Sequence, residues 1–161
     1  MEHALRFVHS LSVALWIGAV FFFASIGGPA IFRTLERRTA GEVVSAIFGS
    51  YYALGYVCGA LALASALALW ALSPGAGRML DVLRVALVVV MIALWLYAGA
   101  VVRPEAHRLR LEMAARQGED RTGHYEALAR RFSTLHKRSV AANGGVFLLG
   151  IALVAVNAYN R

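Results

Sequence analysis

Four long apolar runs, at residues 7–26, 51–72, 85–102 and 140–158, limit what this chain can fold into more than any other feature. A hydrocarbon layer about 30 Å thick is crossed by about 20 residues of apolar helix, and each run is close to that length. None alternates with the period of two that a barrel strand needs. A backbone in lipid must also satisfy its own hydrogen bonds, so each run reads as a spanning helix. Hydrophobic residues make up 60% of the 161 and charged residues only 16%, gathered into a few stretches between the runs, as in a membrane protein. Glu2 beside Arg6 and the length of the first run distinguish it from a cleaved signal, so it reads as a permanent helix. The expected fold is all-α, a single transmembrane domain over residues 1–161. It is an integral membrane four-helix bundle with helices at about 5–28, 40–72, 79–116 and 124–159, and a cytoplasmic helical hairpin extension between helices three and four.

The basic residues orient these helices. Arg33, Arg37 and Arg38 follow the first run, and nine more Lys or Arg lie from Arg103 to Arg138, against Arg6, Arg78, Arg84 and Arg161 on the other side. That asymmetry places both basic loops in the cytoplasm and both termini outside it, in a bacterial-type inner membrane. It also accounts for the net charge of +7 through contact with anionic lipid, without a nucleic-acid partner. Cys58 is the single cysteine and lies inside the second run, which leaves no intramolecular disulfide and no CxxC metal site.

Local signals mark the ends. Gly27-Gly28-Pro29 should kink or end the first helix, and Thr39 to Glu42 has the spacing of a capping box that starts the second. Ser73 to Gly77 and the stretch QGEDRTG, residues 117–123, read as turns. Between the latter and the fourth run, Tyr125, Leu128, Phe132 and Leu135 share one side of a helix.

Helices in lipid associate through small residues that admit close backbone approach. Ser10, Ala14 and Gly18 form such a stripe on helix one, Gly55, Gly59, Ala62 and Ala66 on helix two, and Ala86, Ala93 and Ala100 on helix three. On helix four, His136, Asn143, Gly150 and Asn157 recur every seven residues, with Ser139 close to the same face. Asparagine in hydrocarbon is costly, so this seam should turn inward, either as hydrogen-bonding glue or as the lining of a binding site or path. With Tyr52, Tyr97 and Arg103 near the inner surface, Ser139, His136, Asn143 and Asn157 make the candidate ligand-binding residues; no catalytic residues and no metal ligands are assigned. A cationic, tyrosine-rich mouth would favour an anionic ligand. Arg84 with Asp81 at i, i+3 reads as a helix-end ion pair.

His9 raises the question of a cofactor, because a neutral imidazole ligates haem iron and transition metals well. It lies near the outer end and His136 near the inner, about 30 Å apart, too far to share one ion. On the helical wheel His9 goes with Val13, Trp16 and Val20, away from the Ser10, Ala14, Gly18 stripe. The open readings are a hydrogen-bonded structural residue, the wall of a polar path, or the axial ligand of haem b or a metal.

The segments LRFVHSLSVALWIGAVFFFASIGGPAIFRTL, AGEVVSAIFGSYYALGYVCGALAL, RPEAHRLR and FSTLHKRSVAANGGVFLLGIALV together resemble the transmembrane protein 205-like family of small four-helix membrane proteins. The resemblance rests on His9, Trp16, Gly18, Pro29, Phe32, Arg103, Pro104, His136, Ser139 and Asn143, and implies a transport-related role. The first helix is also distantly similar to those of CopD-like and HemJ-like membrane domains, in which a membrane histidine serves metal or haem. The resulting expectation is a non-enzymatic membrane protein that contacts lipid and self-associates as a homo-oligomer. It binds or moves a small solute, ion or lipid headgroup, with a haem or metal protein, or a structural subunit, as the alternatives.

Overall fold

The computed structural model describes residues 1–72, 78–115 and 123–159, and the turns expected at 73–77 and 117–122 lie outside these. Four long helices carry nearly all of the described chain. Helix α1 runs Glu2–Phe22, passes through a wider π turn at Phe23–Gly27 and continues as Gly28–Thr34. Helix α2 is Arg37–Leu72. Helix α3 runs Arg78–Leu96, has a second π turn at Tyr97–Val102 and continues as Arg103–Ala115, and α4 is Gly123–Tyr159. All four are long and apolar enough to cross a membrane. Only 22% to 39% of each apolar window is buried inside the bundle, so the outer faces are themselves greasy and lipid is the solvent they fit.

Each helix packs on its chain neighbours, and α4 closes the ring against α1 along the loosest of the four seams. The inner parts of α3 and α4 continue together past the apolar runs as the expected hairpin. Leu109 and Leu128 are buried between them, and Tyr125, Phe132 and Leu135 are half-buried on the same side as Leu128.

Both π turns precede a proline, which explains them. Proline has no N–H to donate, and its ring collides with the carbonyl four residues back. A single wide turn takes up the misfit: Gly28 N–H bonds to Phe23 O just before Pro29, and Arg103 N–H bonds to Ala98 O just before Pro104. Helix α1 therefore continues through Gly27-Gly28-Pro29 to Thr34, past the end expected near residue 28. The chain breaks at Leu35 instead, which is extended at φ −113° and ψ 151°. Helix α2 begins at Arg37, so Thr39 sits inside its first turn and not at its cap.

The centre is aromatic. Trp16 of α1 and Trp95 of α3 meet edge to face with centroids 5.5 Å apart, and Tyr51, Tyr52, Phe48 and Phe23 extend the cluster inward. The rings lie in notches cut by glycine. A Cβ at Gly55 would stand 2.2 Å from Trp95, one at Gly59 would press on Trp16 at 3.2 Å, and one at Gly99 would meet Tyr56 and Tyr52. The small stripe on α2 is thus an interface, with Gly55, Gly59, Ala62 and Ala66 all buried. Those proposed on α1 and α3 are not. Ser10, Ala14 and Gly18 are exposed, as are Ala86, Ala93 and Ala100. What α1 buries is the His9, Val13, Trp16, Val20 face, and α3 buries Asp81, Arg84, Val88, Met91 and Trp95. Large side chains from α1 and α3 fill the bundle; Gly55 and Gly59 of α2 make the space for Trp95 and Trp16, and Gly150 and Gly145 of α4 make it for Ile17 and Leu94.

Candidate functional site

The polar side chains of the bundle gather at three levels. At the end that holds both termini, His9 is 2% exposed on the inward face of α1. Its Nδ1 lies 3.0 Å from Ala62 O and 3.3 Å from Ser65 Oγ on α2. A carbonyl oxygen only accepts, so Nδ1 carries the hydrogen and donates it. Ser65 is itself tied down by donating to Leu61 O at 2.6 Å. The other ring nitrogen, Nε2, is buried and has no hydrogen-bond partner among the described residues.

Across from it, Asp81 and Arg84 of α3 form a buried ion pair, Nη1 to Oδ1 2.7 Å, each side chain only 3% exposed. Arg84 Nε donates to Asn157 Oδ1 of α4 at 2.9 Å. A buried guanidinium is tolerated only when its partners are in place, and these two fix it in direction as well as charge. The pair therefore belongs to the core and not to an exposed helix end. Between His9 and Arg84 is a cavity of about 360 Å³, walled by Arg6, His9, Ser10, Val13, Ala14, Leu69, Arg84, Val154, Asn157 and Ala158. Its wall includes the guanidinium groups of Arg84 and Arg6, each ion-paired, Arg84 with Asp81 and Arg6 with Glu2 at 2.7 Å.

At mid-depth on the inner side, Tyr51 Oη donates to Asn143 Oδ1 at 3.1 Å, and Asn143 Nδ2 donates to Ser139 O at 2.8 Å. This reads as interhelical glue. Tyr51→Phe should lower the stability of the bundle by about 0.6–1.7 kcal/mol, seen as a lower unfolding temperature in detergent, and an unchanged temperature would remove the bond from the account. Further in, the Arg110 guanidinium bonds Gly41 O and Ser45 Oγ of α2 and lies 5.9 Å from the Phe132 ring centroid, fastening the hairpin to the start of α2.

The residues expected to form one site are thus distributed over several. Asn143 and Ser139 join Tyr51; Tyr52 is 2% exposed, and its carbonyl accepts the Trp95 indole N–H at 3.0 Å. Asn157 joins Arg84 at the opposite end. Arg103 is half-buried against Gly49, Tyr97 is 38% exposed and His136 is exposed. Among the described residues no hydrogen bond links these last three to either asparagine. Asn143, Gly150 and Asn157 do face inward, each toward a different helix: Asn143 to α2, Gly150 to Ile17 of α1, and Asn157 to α3.

Sequence reasoning missed Ser65 and underrated Asp81 and Arg84. The available signal was an acid and a base three positions apart, with only Val82 and Leu83 between them and a long apolar run after them, at a depth where an ionisable group needs a partner. Among the described residues no group of three or more His, Cys, Asp or Glu could hold a metal ion. Any haem iron or metal at His9 would have one protein ligand, Nε2, and take the rest from elsewhere.

Comparison with known proteins gives one family. Residues 11–115, which cover α1 from its third turn through α3, match the family described as a domain of unknown function, DUF4149. No curated protein and no solved structure matches the chain.

Proposed function

The chain belongs to the DUF4149 family, a domain of unknown function, and on that premise we propose from its own side chains that it is a membrane-embedded binding protein for a small anionic group. The single observation that carries this reading is the cavity lined by His9, Arg84, Asn157 and Arg6. Arg84 brings N–H groups beyond those bonded to Asp81 and Asn157, and these favour an anion, while Arg6, paired with Glu2, stands at the same wall. The seam of helix four enters through Asn157, and the inner set of Tyr52, Tyr97, Arg103, His136, Ser139 and Asn143 is assigned to packing and to the cytoplasmic surface. The arginine distribution supports a position for the cavity on the outer side of an inner membrane. The transmembrane protein 205-like resemblance supports movement of the bound group across it, with further copies of the chain completing a path.

Thermal unfolding of the purified protein tests the binding step. A ligand held only by the folded state stabilises it by about 2.7 kcal/mol at a hundred times its dissociation constant. Dihexanoyl phosphatidic acid, hexanoate or inorganic phosphate should raise the unfolding temperature, glycerol should not, and Asn157→Leu and His9→Gln should each suppress the rise. Equal effects of glycerol and the anions, or an undiminished rise in both variants, would overturn the reading.

A second reading rests on the His9 tautomer. A metal-ligating histidine commonly donates its other ring N–H to a carbonyl, and the Nδ1 bond to Ala62 O is of that kind. It would leave Nε2 to ligate haem iron or a metal. A Soret band in the purified protein that disappears in His9→Ala would support this reading; a colourless, metal-free protein that binds the anions would remove it.

A further inference from the structure

We propose that the group bound in the His9 cavity is the oxyacid headgroup of a membrane amphiphile, which enters sideways from the lipid between α1 and α4. This rests on the anion-binding reading above and names the ligand class and its route.

The route follows from the α1–α4 seam. Facing residues on α1 are Ser10, Ala14, Ile17 and Phe21, and on α4 Ala158, Val154, Gly150 and Phe147. Toward the middle of the bundle the seam is shut. Ile17 fills the space above Gly150, where a Cβ would stand 2.2 Å from it, and Phe21 stacks on Phe147 with centroids 5.8 Å apart. Toward the termini it is open. Ser10, Ala14, Val154 and Ala158 all line the cavity, and all four are also exposed on the outer face of the bundle. The cavity therefore has a side door of small apolar residues, on a surface whose neighbours, Leu11, Leu15 and Ile151, are exposed and apolar. A solute drawn from water would have no use for a hydrocarbon-facing door, whereas an acyl chain can lie through it while its head stays inside.

The chemistry of the head follows from His9. With its hydrogen on Nδ1, a neutral imidazole presents a bare lone pair at Nε2, which is an acceptor. A buried acceptor without a partner among the described residues is costly, so a ligand that reaches it must bring a donor. Arg84, with Nη1 on Asp81 and Nε on Asn157, keeps N–H groups that want the opposite, acceptor oxygens. One group that supplies both is an oxyacid with one proton: its O–H donates to Nε2 and its remaining oxygens accept from Arg84. Phosphate monoesters and carboxylic acids have this form.

The test uses full-length protein in phosphatidylcholine nanodiscs or mild detergent, with dioleoyl phosphatidic acid and inorganic phosphate as probes and native mass spectrometry or equilibrium titration as the readout. Phosphatidic acid should bind at least tenfold more tightly than inorganic phosphate. Ala14→Phe and Ala158→Phe, which plug the door at exposed positions, should each weaken phosphatidic acid at least tenfold and phosphate by a smaller factor. Leu148→Phe, also on the lipid face, should change neither, and His9→Gln should weaken both. Phosphate binding as tightly as phosphatidic acid, or unaltered lipid binding in both plugged variants, would overturn the side entry and leave the anion site standing. Binding of neither probe responding to His9→Gln would overturn the site itself.

Discussion

Replacing Asp81 by leucine is expected to cost the bundle about 3–5 kcal/mol, the largest effect of any single polar substitution in it. Arg84 would remain in a place where its side chain is 3% exposed, with Asn157 as a neutral partner and no compensating charge. The loss comes from the cation left behind more than from the bond removed. Asp81→Leu combined with Arg84→Leu should therefore recover most of the stability, because two apolar side chains of similar volume suit that environment. Anion binding should be lost in the double variant, which removes the guanidinium. Unfolding by heat or SDS from detergent micelles separates the two contributions: a double variant no more stable than the single one would mean that the pair does not act as a unit.

Gly55→Leu should be nearly as damaging, for a steric reason. A Cβ at Gly55 would stand 2.2 Å from Trp95 Cε2 and 2.3 Å from its Nε1, so the indole must leave its notch. Overpacking of this kind costs about 1–3 kcal/mol, and the displaced ring also gives up its hydrogen bond to Tyr52 O, about 1 kcal/mol more. The α2–α3 contact and the edge-to-face pair with Trp16 both depend on that ring. Gly18→Leu and Gly144→Leu provide the controls. Nothing lies within 4 Å of a Cβ at either position, so both should stay within about 0.5 kcal/mol of the parent. Unfolding temperature and tryptophan emission together decide the matter, and a Gly55→Leu protein with parental values of both would mean that the notch is not filled.

These two sites show what the sequence made legible. Four spanning helices and the inner hairpin follow from run length and charge alone, and so does the inward face of α1, since His9, Val13, Trp16 and Val20 fall on one side of a helix. The rule that small residues mark the contact misled on α1 and α3. Close packing needs one small residue per contact, and at the bundle centre Gly55 and Gly59 of α2 provide it for Trp95 of α3 and Trp16 of α1. Which partner each polar residue would find was not legible either. Asn143 and Asn157 share a seven-residue register, but one bonds to Tyr51 and the other to Arg84, 73 positions away in the chain. Periodicity fixes the direction in which a side chain leaves its own helix. It says nothing of what stands opposite.

The two proline-linked π turns have a consequence for how this protein tolerates change. Each inserts one residue relative to regular α-helix, and one residue is about 100° of rotation. The faces that α1 and α3 present inward of Phe23 and Tyr97 are therefore set separately from the faces they present to the ligand cavity. A one-residue deletion in Tyr97–Val102 removes the extra residue of the wide turn, so it should keep the register of both ends and bring back the collision of Pro104 with a regular helix. The cavity end and the hairpin end are two pieces of machinery on shared shafts, with a coupling in each shaft at which their phase is set.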